Sequence, residues 1–327
     1  MNQKLLKKLP RYCAAALICA MMSAASALAF NEITSPGNLT GSGTIGGNSL
    51  KVSASSAVVV GGESNTASGL YSVAIGGKSN SAFWRSSVAV GGYKNNASGF
   101  YSVAVGGRTN TVSGYDSVVV GGCSNSASSY NSVAIGGYMN TASEDSSLAA
   151  GGLHNTASGY WSAAFGGSMN TASGGHSVAV GGQLNSASGD GSAAFGGARN
   201  TAFGYWAATF GGQNNIASGD NSAVLGGIAN TAAGEYSAAV GGLYNTASAQ
   251  YSAALGGAGN TAKGKNSVVI GGGNGDRYGG VLVSGDNIAS CPGSVILGGA
   301  NNVTTAAASQ SVVVGGKGGK ATQEYAV

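Results

Sequence analysis

Short apolar and polar runs alternate along this chain and recur at a fixed distance. An apolar run such as Val73-Ala74-Ile75 is followed by a Gly-Gly pair, two variable residues and a polar run of the Asn65-Thr66-Ala67-Ser68 type. Gly-Gly stands at 46–47 and 61–62 and then at every fifteenth residue through 271–272, sixteen pairs in register. Asn follows four positions after the first glycine in all fourteen units from Asn65 to Asn260, and Ser opens the apolar run in thirteen of fourteen, Ala207 being the exception. A period this strict is the mark of a solenoid and leaves no room for a single-core enzyme domain over 44–272. Fifteen residues with two short runs predict an all-β parallel solenoid, two strands per coil joined by glycine turns.

Side chains alternate faces along a strand, so the apolar run is apolar on both sides and should be buried on both. One side can meet the inside of its own coil; the other needs a partner surface. Val73 and Ile75 are assigned to the core ladder together with Asn65, Asn80, Asn95 and Asn110, whose stacked amides are expected to bond to one another as they do in stacked strands. Ala67 then faces inward, and Thr66 and Ser68 face water. Gly61, Gly62, Gly76, Gly77, Gly91 and Gly92 end the apolar strands and turn the chain. Gly69 and its equivalents, present in ten of fourteen units, are expected to supply a positive φ at the second turn. Trp84, Ser129, Glu144 and Ala249 replace that glycine, which marks the second turn as the more tolerant one and predicts that Gly76→Val costs more than Gly99→Ser.

The segments Tyr71-Ser72-Val73-Ala74-Ile75-Gly76 and Asn131-Ser132-Val133-Ala134-Ile135-Gly136 resemble the N-S-V-A-I-G repeat of YadA-type head domains in trimeric autotransporter adhesins. The likeness covers about residues 44–316. It implies a left-handed parallel β-roll, three chains packed around a common axis, and attachment to host matrix or cells; the Val-Ala-Val strand would form the inner sheet and the Asn-Thr-Ala-Ser strand the outer one. Two departures stand out. Units of that family have about fourteen residues and one glycine, whereas this chain has fifteen and two. Residues 317–327 are too few for a heptad stalk and a membrane-anchoring barrel, so a head without its anchor is expected.

Outside the regular repeats, residues 1–29 read as a secretory signal peptide: a basic start, an apolar run from about Cys13 to Met22, and an A-x-A site ending at Ala29. Export to the bacterial surface or medium follows. A lead-in covers 30–43. Register breaks over 273–297, where Val281-Leu282-Val283 reads as a shortened coil, so 273–316 is expected to form irregular terminal coils that cap the roll, with a tail at 317–327.

Composition then removes whole classes of function. The formal charge of +4 sits in the leader, on Lys4, Lys7, Lys8 and Arg11, and the remainder has no footprint for nucleic acid. Sixty glycines without a Gly-X-Y period exclude collagen. Cys123 and Cys291 lie about eleven coils apart, on the order of 50 Å at ~4.8 Å per coil, which predicts no bridge between them. His154 and His176 occupy variable slots without a clustered partner, and Asp190 and Asp220 recur two coils apart at a solvated turn. Neither pattern supports catalysis, a metal or a cofactor, and a non-enzyme is expected.

Aromatic residues carry the recognition signal. Tyr71, Tyr101, Tyr115, Tyr130, Tyr160, Trp161, Tyr205, Trp206, Tyr236 and Tyr251 fall in the two positions after the second turn, where stacking would align them along one edge. Packing and ligand binding are equally open for them. The expected function is an adhesin head, a homotrimer that binds host matrix or cell-surface molecules with many weak sites. The alternative is an ice-binding or other structural surface solenoid with a ladder of Thr and Ser hydroxyls, interrupted at Phe83, Asn96, Phe203, Ile216 and Lys263.

Overall fold

The computed structural model describes residues 43–272 and 286–327, together with the backbone of Arg277–Tyr278 and Val281–Leu282. The leader, nearly all of the lead-in and residues 273–276 lie outside the described residues, as does Val283. The chain divides into two compact units, Met1–Ser168 and Met169–Val327. Each is an all-β parallel solenoid of fifteen-residue coils, and the described residues contain no helix.

In the first unit a three-residue strand such as Val133–Ile135 pairs in parallel with Val118–Val120 on one side and Leu148–Ala150 on the other. The two-residue strand Thr141–Ala142 likewise pairs with Ser126–Ala127 and Thr156–Ala157. The first turn adds a further contact line, a ladder of single bridges running Cys123, Tyr138, Leu153. The second unit repeats this plan, with Ala208–Phe210 between Ala193–Phe195 and Ala223–Leu225. Up to Ile270 these partners lie one period away, so the register there is set by the repeat itself.

The inside of each coil is narrow. Ala74 and Ala67 are fully buried, and the clusters that fill the first unit are alanines relieved by Val59, Val112 and Val119. The inward residue of the apolar strand is its middle one. Val73 is half-buried and Ile75 exposed, so these two belong to the outer face of the strand and not to the ladder inside the coil. The reason is the pleat: with Ala74 turned inward, its neighbours must turn out.

Asn65, Asn80, Asn95 and Asn110 are buried, but their amides do not bond to one another. Asn140 is typical. Its Oδ1 accepts the backbone N–H of Asn155 in the next coil at 2.9 Å, and its Nδ2 donates to the carbonyls of Gly136 at 3.0 Å and Gly152 at 3.4 Å. Each asparagine thus ties its own glycine turn to the turn of the following coil. A direct amide–amide bond occurs where Asn287 Nδ2 donates to Asn260 Oδ1 at 3.0 Å.

Both glycines of a pair hold positive φ, and they differ in what surrounds them. Gly136 (φ 61°) faces open space, whereas a Cβ on Gly137 (φ 72°) would collide with the Gly152 carbonyl and the Asn140 amide. The second turn corrects the expectation for Gly69, which has no positive φ. The left-handed residue comes two positions later, at Tyr71 (φ 60°), Tyr101 (φ 53°) and Trp206 (φ 54°). That conformation aims the N–H at the coil before: Tyr101 donates to Arg85 O at 3.1 Å and Trp206 to Asp190 O at 2.9 Å. Gly69 and Gly99 are small because the backbone of the next coil passes against them. In the first unit strand-opening serines complete this turn, buried Ser102 donating to the Gly99 carbonyl at 2.7 Å and accepting the Gly99 N–H at 3.1 Å. In the second unit, by contrast, the hydroxyls of Ser177, Ser192, Ser222, Ser237 and Ser267 are buried without a hydrogen-bond partner.

The roll does not end at the register break. Thr261 pairs with Ile288 and Ile270 with Leu297, so parallel coils resume beyond the interruption and continue to Lys320–Ala321. Val281 and Leu282 do not form a shortened coil; they pair antiparallel with Tyr278 and Arg277. The extra residues enter at a first turn, where the chain can leave and rejoin without interrupting either strand ladder.

Two outcomes follow. Gly136→Ala costs about 1–2 kcal/mol for a left-handed alanine, and Gly137→Ala lowers the melting temperature at least twice as far; equal losses would contradict the turn packing. Asn140→Asp places a carboxylate against two carbonyls that the amide donates to, which raises its pKa above the unfolded value. Its stability is therefore retained below about pH 4 and lost as pH rises. The melting deficit relative to wild type is larger at pH 7 than at pH 3, and a deficit independent of pH would refute the amide's donor role.

Candidate functional site

The outer face of the three-residue strands is the largest feature that the coil interior leaves unsatisfied. Its first and third residues point away from the coil, and the third is exposed in most strands: Ile135 by 44% and Phe210 by 45%. In-register pairing stacks these into two apolar columns within each unit. Phe195 and Phe210 stack ring on ring, 5.3 Å between centroids. Exposed apolar surface on this scale marks an interaction surface.

Residue size along the face is regulated coil by coil. Val103 goes with Val105 and Val133 with Ile135, but Leu148 goes with Ala150 and Ala163 with Phe165; in the second unit Ala193 goes with Phe195, Ala208 with Phe210 and Ala223 with Leu225. A small residue at one column is met by a large one at the other. Columns in water have no reason to trade volume in this way, whereas columns in a close-packed interface do.

The second turns form a separate edge. Tyr71, Tyr101, Tyr115, Tyr130, Tyr160, Trp161, Tyr205, Trp206, Tyr236 and Tyr251 all lie on it, each more than two-fifths exposed. The structure separates face-to-face stacks from edge-to-face, tilted and cation contacts. Trp84, Phe100, Tyr115 and Tyr130 form a continuous stack with centroid spacings of 4.9, 5.8 and 5.3 Å, and Tyr236 stacks on Tyr251 at 5.1 Å. Their faces are covered by one another. Burial among these rings pushes the Tyr115 phenol above its ordinary value, with Tyr101 and Asp116 adding to the shift. Arg85 sits 5.9 Å over the ring of Tyr71. Tyr205 and Trp206 meet edge to face at 5.7 Å, and Tyr160 and Trp161 are tilted at 5.8 Å.

The aspartates of this edge brace the backbone. Asp190 Oδ1 accepts the Gly175 N–H and Asp220 Oδ1 the Tyr205 N–H, both at 2.9 Å, and Asp145 Oδ1 accepts the Tyr130 N–H at 3.2 Å. In each case the acid ties down the same slot of the preceding coil, a role that spacing alone did not reveal. His154 meets Tyr138 edge to face at 5.8 Å. Cys291 is a buried, free thiol and makes no bridge to Cys123. Among the described residues no three His, Cys, Asp or Glu side chains group closely enough to share a metal ion.

The chain therefore presents a repetitive β-solenoid surface of the kind a structural surface protein uses. No family model matches it, and no curated protein is significantly similar to it.

Tyr115→Ala removes three ring contacts, two stacked and one edge to face with Tyr101, worth about 0.5–1.5 kcal/mol each. The expected loss of unfolding free energy is about 1.5–4.5 kcal/mol, larger than for Tyr71→Ala, which breaks no ring–ring contact among the described residues. Denaturant unfolding of the two variants checks this, and the reverse order would remove the stack's structural role.

Proposed function

We propose that this chain is an exported, self-associating adhesin head whose copies cover one another's apolar columns and leave the turns and the hydroxyl strand to meet a host surface. The observation that carries the reading is the exposed, volume-matched apolar face. A coil interior made largely of alanine buries little, at about 0.8 kcal/mol per CH₂, while larger aliphatic and aromatic side chains stand outside it. Association buries them. Small-against-large matching within one strand suits copies arranged side by side at the same coil level, because the first column of one copy then meets the third column of its neighbour. A trimer of this kind is what the resemblance of the Ser-Val-Ala-Ile-Gly segments to YadA-type heads implies, and three copies of a repeated edge supply avidity from weak contacts. The protein acts in this reading by binding and not by catalysis.

The hydroxyl face gives the second reading its one support. Thr111, Ser126, Thr141 and Thr156 stack in register, and Ser113, Ser128, Ser143 and Ser158 run beside them without a charged residue. Thermal hysteresis by the purified protein would favour ice binding.

A lysine in the apolar column tests the main reading. Ile135→Lys or Phe210→Lys converts the associated protein to monomer, with lowered melting temperature and loss of binding to host matrix, whereas Thr141→Lys on the opposite strand leaves the assembly intact. Unchanged native mass in both column variants would contradict the proposal.

A further inference from the structure

Trp206 differs from the stacked aromatics of the same edge because of what lies beneath it. The left-handed slot two residues after each second turn carries a side chain in every regular coil from Tyr71 to Asn266 except at Gly191, and Gly191 is the residue under Trp206. A Cβ there would lie 2.6 Å from Cδ2 and Cε3 and 2.9 Å from Cζ3 of the indole. Near-equal distances to three consecutive ring atoms place that point over the face of the ring and not at its rim. One face of the indole therefore rests on the glycine backbone. The side chain is 56% exposed, so much of the ring away from Gly191 meets solvent.

The surroundings of this platform are polar and acidic. Tyr205, 52% exposed, stands edge to face against Trp206. Asp190 lies one coil before Tyr205 in the same slot and Asp220 one coil after, so that carboxylates flank the aromatic pair about 10 Å apart at ~4.8 Å per coil. Each uses Oδ1 to hold a backbone N–H, which fixes the carboxylate and leaves Oδ2 to accept a further hydrogen bond. Arg199, the one cation between these acids in sequence, belongs to a first turn and not to this edge.

We infer that Trp206, seated on Gly191 and flanked by Asp190 and Asp220, is a binding platform for neutral saccharides. The C–H face of a pyranose packs on an open, rigid indole, and carboxylates accept its hydroxyls in charge-assisted hydrogen bonds. Two acids disfavour sulfated or uronic glycans. A quaternary ammonium would need ring faces that converge, and the perpendicular contact between Tyr205 and Trp206 leaves no gap between them. The inference names the ligand class of the attachment reading and rests on it for its biological setting.

The full-length exported protein is titrated, by tryptophan fluorescence and calorimetry, with neutral oligosaccharides of glucose, galactose, mannose and N-acetylglucosamine, and with heparin and tetramethylammonium as counter-probes. Wild type binds at least one neutral oligosaccharide. Trp206→Ala and the double variant Asp190→Asn/Asp220→Asn weaken that binding at least tenfold, Gly191→Ala weakens it by unseating the indole, and Trp84→Phe leaves it unchanged. Native mass of Trp206→Ala matches wild type, and its melting temperature falls only by the loss of the one ring contact with Tyr205. Wild type that binds no neutral oligosaccharide, or only a counter-probe, overturns the site, as does Trp206→Ala that binds as tightly as wild type. Adhesion to cells and matrix is scored separately: wild type that binds sugar but adheres to nothing overturns the attachment reading and leaves the site standing, while wild type that adheres but binds no sugar overturns the site alone.

Discussion

Successive coils can stack only if their glycine turns nest, and the asparagine amide is what holds them there. The second glycine of each pair brings its backbone against the carbonyl of the following turn at a distance no side chain would allow. The buried amide then spans the joint, accepting from the next asparagine's N–H and donating to glycine carbonyls of both coils. An unpaired buried peptide group costs about 1–3 kcal/mol, so one side chain per coil settles several such costs. Period, register and the parallel ladders follow from repeating that joint.

The same joint limits what the coil can contain. Asparagine occupies an inward position as the brace of the first turn, serines such as Ser102 and Ser132 brace the second, and the space between the strands admits little more than alanine. A fold of this design cannot draw its stability from a thick hydrophobic core. The larger apolar side chains stand instead on the outer face of the three-residue strands, where alanine in one column goes with a larger residue in the other. Self-association is, in this account, the completion of the core.

The period, the two strands per coil and the inward Asn and Ala were readable from the repeat, because a strict fifteen-residue register permits few arrangements. What escaped was geometry inside the turns. Gly69 looked like the left-handed residue since glycine is the usual choice, but the chain places Tyr101 and Trp206 in that conformation and recovers the cost in hydrogen bonds to the preceding coil. Apolarity alone does not say which face of a short strand turns inward, so the sequence does not separate Val73 and Ile75 from the inward Ala74. The pairing of Gly191 with Trp206 crosses one period and involves a single exception in a variable slot, so periodicity hid it.

Sedimentation equilibrium of the wild-type protein at micromolar concentration tests the central claim, that the apolar columns are covered by copies of the same chain. A single species of three times the protomer mass is predicted. A monodisperse monomer of unaltered solubility would contradict it.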